Sequence, residues 1–153
     1  MKKSFVLCLI LLLLITAGFT QNGFEKLSKD AVSQSDLRIA ISLAEKILLG
    51  QKSGNIYLLS GDEAIPPVAK GLTREVQLSS YESVRAQFGD YESMNFMEAW
   101  TMNSEQGVYT IYRFKGDFTD TKEQPEIRVV FDGESKLAGF WIRPWEDDLQ
   151  GKP

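Results

Sequence analysis

The sequence predicts an α+β domain in which N-terminal helices pack on one face of a curved, four-stranded antiparallel sheet. Three observations carry this expectation. As far as Phe88 the apolar residues recur at helical intervals of three and four; from Tyr91 the interval becomes two. The breaks between the later segments, Asn103 to Gln106, Thr119 to Pro125 and Gly133 to Ser135, are short enough for hairpins. Helices followed by a meander is the order of an α+β fold.

The chain opens MKKSFVLCLILLLLITAGFTQ, with two lysines, an unbroken apolar run from Phe5 to Ile15, and then small residues. That layout predicts a signal peptide over 1–20, cleaved near Thr20 and Gln21, and a single domain over 21–153. The apolar run is shorter than the roughly 20 residues that span a bilayer, so the mature chain is expected to be exported, periplasmic or extracellular, with no permanent membrane segment. Cys8 stands at the front of the run rather than after it, which argues against lipidation.

Phe24, Leu27, Ala31 and Val32 form a short apolar stripe, with a break expected over Ser33 to Asp36. Leu37, Ala40, Ile41, Ala44, Ile47 and Leu48 then line one side of a helix, for which Gly50 is the expected stop. A further helical turn is expected within 54–62, and AIPP, 64–67, reads as a loop. Thr73 is the expected N-cap of the next helix, Leu78, Tyr81, Val84 and Phe88 its inward stripe, and Gly89 its terminator.

The strands are expected at 91–102, 107–118, 126–132 and 137–145. Alternation assigns Met94, Phe96, Glu98, Trp100 and Met102 inward on the first, Val108, Thr110, Tyr112 and Phe114 on the second, Ile127, Val129 and Phe131 on the third, and Ala138, Phe140 and Ile142 on the last. The outer face then gathers Tyr109, Arg113, Arg128, Trp141 and Arg143. A single bulge would exchange the two faces locally.

Composition removes several kinds of chemistry. All 21 acidic residues lie beyond the signal, two of the 17 basic ones within it, and no basic run compensates, so nucleic acid is a poor partner. There is no histidine, and the one cysteine is Cys8, which leaves residues 21–153 without disulfides, thiolate nucleophiles or His-based triads. No metal and no cofactor are expected. Glu146-Asp147-Asp148 lacks the spaced ligands of a calcium loop, GLTREV lacks the end of a phosphate loop, and the serine of SGDE, 60–63, has no base beside it.

The run from Leu72-Thr73 through Phe88-Gly89, followed by hairpins ending FDGESKLAGFWIRP, resembles the domain of unknown function 3887 family over about residues 37–145. The resemblance implies the cystatin-like cone of nuclear transport factor 2 and the ketosteroid isomerases, and it bears on shape more than on activity. Those isomerases keep a general base on the inner wall of the cone, the place expected of Glu98 here, where apolar surroundings would raise its pKa. The competing reading is that Glu98 sits at a bulge, faces solvent or pairs with an arginine. Glu98, Trp100, Tyr112 and Phe140 are the expected ligand pocket. Tyr109, Arg113, Arg128, Trp141 and Arg143 are the expected partner face, of the residue types enriched at binding hot spots; alternatively, the outer aromatics shelter under arginine stems and the C-terminal tail.

The leading expectation is an exported, non-enzymatic binding domain that takes a small apolar ligand in the cone or a protein on the outer sheet face. The alternatives are an isomerase- or cyclase-like enzyme using Glu98 as general base, and a structural module that forms a homodimer through the outer face.

Overall fold

A computed structural model describes residues 23–120 and 122–149. The expected signal peptide, 1–20, lies outside them. In chain order the elements are β1 (Phe24–Lys26), a single 3-10 turn (Lys29–Ala31), α1 (Gln34–Ser53), α2 (Pro66–Gly71), α3 (Arg74–Phe88), β2 (Tyr91–Ser104), β3 (Gly107–Phe118), β4 (Pro125–Phe131) and β5 (Leu137–Pro144). The sheet is antiparallel throughout, in the order β1-β2-β3-β4-β5. It has five strands rather than four. Phe24 to Lys26, expected as part of a helical stripe, instead extend along Met102 to Trp100 and close the β2 edge.

The helices follow their caps. Ser33 accepts a hydrogen bond from Asp36 N at 3.3 Å and starts α1. The helix runs through Gly50 to Ser53 and ends at Gly54, whose φ of 76° is the left-handed C-cap conformation. Gly50 has a different role from the expected stop: a Cβ there would lie 2.8 Å from Asn55 O and 3.0 Å from Tyr57 N, because the following loop folds back onto it. Residues 55–60 form no helical turn. Pro66 and Pro67, expected in a loop, are the first residues of α2, where a missing N–H breaks no intrahelical bond; the extended Ile65 before them satisfies the pre-proline restriction.

Thr73 caps α3 through Val76 N, as expected, but Gln77 replaces Leu78 in its inward stripe. The Gln77 amide is fully buried and donates to Tyr57 O at 2.9 Å and Leu72 O at 3.0 Å, so it ties the irregular loop to the helix. Gly89 ends α3 with φ 82° and ψ −161°, a region open essentially to glycine. The tight corner lets Asp90 N reach Thr119 Oγ1 and Asp120 N reach Phe88 O, both at 2.8 Å.

One face of the sheet carries the main core. Ala40, Leu43, Ala44, Ile47 and Leu48 of α1 and Tyr81, Val84 and Phe88 of α3 pack with Tyr112, Phe114, Ile127, Val129, Phe131 and Leu137. Three bulges decide which strand residues join them, the first at Glu92, between the Tyr91–Phe118 and Ser93–Asp117 pairs. Phe96 pairs with Phe114 and Glu98 with Arg113, so Met97 is an extra residue, and every β2 side chain after it changes face. Val130 pairs with Gly139 and Phe131 with Leu137, so Ala138 is extra; Leu137 takes the inward place expected of Ala138. No helix among the described residues is long and apolar enough to cross a membrane.

Candidate functional site

The outer face can be built row by row from the register. Trp100, Ile111, Val130 and Gly139 form one row across β2 to β5; Glu98, Arg113, Arg128 and Trp141 form the next; Lys115, Glu126 and Arg143 form a third across β3 to β5. The parity change at Met97 thus removes Glu98 and Trp100 from the expected pocket and places them beside Arg113 and Ile111.

At the centre lies a buried charge cluster. Arg113 has no exposed side-chain surface; its Nε donates to Glu126 Oε1 at 2.7 Å, its Nη2 to Glu126 Oε2 at 2.9 Å, and its Nη1 to Glu98 Oε1 at 2.5 Å. The bidentate bond to Glu126 is the geometry a guanidinium favours. Arg128 Nε donates to the same Glu126 Oε1 at 2.7 Å, while Glu98 also accepts from Trp100 Nε1 at 2.9 Å and forms a close ion pair with Lys26. Burial opposes the charge on Glu98, yet the bonds from Lys26, Trp100 and Arg113 outweigh it and hold the carboxyl below its ordinary range. At Glu126 too, burial is overcome by the two arginines, and the pKa is lowered. Glu98 is therefore a paired carboxylate with a lowered pKa, opposite to the raised value expected of an apolar general base.

The segment after β5 closes over this cluster. The Trp145 ring lies over the Arg113 guanidinium, 4.1 Å from Cζ to centroid, with Lys115 Nζ at 5.0 Å. Glu146 accepts from Arg113 Nη2 through its carbonyl and from Arg143 Nη2, at 2.7 Å, through its carboxylate. Leu149, only 7% exposed, joins Trp100, Ile111 and Val130 in a second apolar cluster, edged by the partly buried Phe24, Met102, Tyr109, Ala138 and Trp141. The Trp141 indole lies over β5 itself, since a Cβ at Gly139 would come within 2.0 Å of its Cη2.

All five residues of the expected partner face share this outer surface, although Arg113 is sealed inside it. Tyr109, Trp141 and Arg143 are partly exposed, and Val108, on the adjoining hairpin, is 52% exposed. Sequence reasoning missed Glu126, and it offered the C-terminal tail as a shelter for the outer aromatics without naming Trp145 or Leu149 as its anchors. Glu126 has outward parity with basic residues on both neighbouring strands, which was the available signal; the contact of Leu149 with a distant row had none.

On the inner wall Tyr112 is 1% exposed, and Phe114, Ile127, Val129 and Leu137 show no surface at all. These side chains pack against one another and against α1 and α3 in the main core. Burial raises the Tyr112 hydroxyl to about 12. Of the expected pocket, only Tyr112 and Phe140 remain on this side. A separate, shallow groove of about 670 Å³ opens beside α1, lined by Arg38, Ile39, Ser42, Lys46, Asp62 and Glu63 among others. At its edge the Tyr57 hydroxyl donates to Glu63 Oε1, with Lys46 Nζ 5.0 Å from the Tyr57 ring centroid. Among the described residues no cluster of three or more potential ligands is placed to hold a metal ion. Comparisons with protein-family models, curated proteins and solved structures return no match.

Proposed function

We propose that this chain is an exported, non-enzymatic binding domain that recognises a protein through the outer face of its sheet. The observation that carries this reading is the partly buried rim of Met102, Tyr109, Ala138 and Trp141 around a second apolar cluster, on the side of the sheet away from the helices. Aromatic residues fixed by their surroundings lose little entropy on binding, and Trp141 is fixed over Gly139. A small apolar ligand against Tyr112 has no space, and an isomerase-like role for Glu98 lacks both the apolar setting and the free carboxylate that it needs. The resemblance to the family of unknown function 3887 is consistent with a cone-shaped scaffold and adds nothing on the partner.

The test is to pan a displayed random-peptide library against the folded chain and compare the enriched peptides on wild type, Tyr109→Ala, Trp141→Ala and Ile39→Ala, the last being on the helix side. A loss of roughly tenfold or more in the two outer-face variants, with Ile39→Ala unchanged, is expected. Peptides indifferent to Tyr109 and Trp141, or lost in Ile39→Ala, would refute the proposal.

A further inference from the structure

The segment Trp145 to Leu149 is seated on the outer face as a ligand would be. It has an aromatic anchor stacked on a cation, a main-chain acceptor bonded to Arg113, a carboxylate paired with Arg143, and a leucine filling the recess over Trp100, Ile111 and Val130. Glu146, Asp147 and Asp148 supply negative charge to a surface on which Lys115, Arg128 and Arg143 stand. Past Pro144 and the Trp145 N–H bond to Gln124 O the segment has left the ladder, so side-chain anchors and the bond to Arg113 hold it. The fit is also incomplete: among the described residues, Arg128 Nη2 and Arg143 Nε, on the same face, are buried without a hydrogen-bond acceptor. A buried donor left unmet costs free energy that a better-placed acceptor would recover.

We infer that this segment is a self-bound peptide: the outer face is a groove for an extended acidic segment of a partner protein, with an aromatic residue four positions before a leucine, and the chain's own tail holds the groove until such a segment displaces it. The inference rests on the outer-face reading above and adds to it the chemistry of the partner and a means of regulation. A tethered tail competes at an effective concentration in the millimolar range, so a partner must either bind tightly or bring several contacts at once.

The probe is a fluorescein-labelled heptapeptide with the sequence of residues 143–149, RPWEDDL, followed by anisotropy against the full chain as wild type and as Leu149→Asp. Burying a leucine is worth a factor of about ten or more in affinity. The Leu149→Asp chain, its tail released, is expected to bind the peptide at least about tenfold more tightly than the wild type, and a peptide carrying aspartate in place of its leucine is expected not to bind either. Equal affinity for both chains, or no binding to a Leu149→Asp chain that circular dichroism shows to be folded, overturns the inference.

If Leu149→Asp does not fold, amide spectra of the wild-type chain carry the test. Excess peptide must move the resonances of Trp100, Ile111 and Val130 and bring those of Asp147 to Leu149 to unstructured positions; unmoved resonances overturn it. Self-association of the wild type at the same concentrations, abolished by Leu149→Asp, would also overturn it, in favour of tail exchange between copies. Failure here with library peptides still dependent on Trp141 leaves the outer-face reading standing, whereas library peptides indifferent to Trp141 remove both.

Discussion

Replacing Arg113 with methionine is the most direct probe of the outer face. The guanidinium is fully buried and bonded to Glu126, which is equally buried, so neither partner is relieved by solvent when the other is lost. Breaking a buried pair by removing one member costs about 3–5 kcal/mol, most of it the penalty of an uncompensated charge. Glu126 keeps Arg128 at 2.7 Å and Glu98 keeps Lys26 and Trp100, which places the expected cost near the lower end, about 3 kcal/mol. For a domain of this size that corresponds to a fall in Tm of roughly 10 °C. Urea unfolding should show a lower midpoint at an unchanged slope. The double variant Arg113→Met/Glu126→Leu should be less destabilised than the sum of the two single changes by about 1.5 kcal/mol or more, because the dry charge is then removed with its partner. A loss below about 1 kcal/mol for Arg113→Met, or strict additivity in the double variant, would refute the description of this cluster as a coupled buried network.

The other predictions concern acid sensitivity and local geometry. Glu98 and Glu126 both have folded pKa values below the ordinary 4.5, so their stabilisation is fully present above about pH 4.5 and is lost as pH falls through the folded values; urea midpoints should decline over that acid range, and Glu126→Gln should flatten the decline while lowering the midpoint at neutral pH. Gly89→Ala should cost at least about 1–3 kcal/mol in the same assay, since the added methyl meets Thr119 Oγ1 at 2.2 Å in a backbone conformation that disfavours any side chain; an effect within error would contradict the described corner. Thr73→Ala should cost about 0.5–2 kcal/mol by removing the cap from Val76 N, and Thr73→Ser should restore most of it.

How far the fold could be read from sequence follows from how local each determinant is. Thr73, Gly89 and the change of period at Tyr91 are local, and α3 with the four principal strands lies within a few residues of expectation. Pro66 and Pro67 were misread because a proline that ends one helix is also the best residue to begin another, and only the neighbouring Ile65 decides between them. Phe24 to Lys26 had too few residues for alternation to outweigh a helical spacing. The bulges at Met97 and Ala138 were the larger loss. An inserted residue is not marked in a mixed run such as NFMEAW, because the register belongs to the pair of strands and not to one. The bulge at Met97 carries Glu98 and Trp100 to the outer face and leaves Tyr112 and Phe140 on the inner one, whereas Arg113 and Arg128, and Trp141 and Arg143 beyond the bulge at Ala138, lie on the face that alternation assigns them.

The charge cluster also bears on how the sheet assembles. Its members arrive from separate segments in chain order, Lys26 from β1, Glu98 from β2, Arg113 from β3, Glu126 from β4 and the Glu146 carbonyl from beyond β5. A hairpin of β2 and β3 alone carries an arginine whose principal counter-ion has yet to dock, and adding β4 brings a second carboxylate that must be covered in turn. Each partial meander is thus penalised by an ion without its partners in a place destined to be dry. Sequential hairpin growth becomes a step that completes together or falls back, so this domain should unfold as a single cooperative unit with no populated intermediate lacking only β4 or β5.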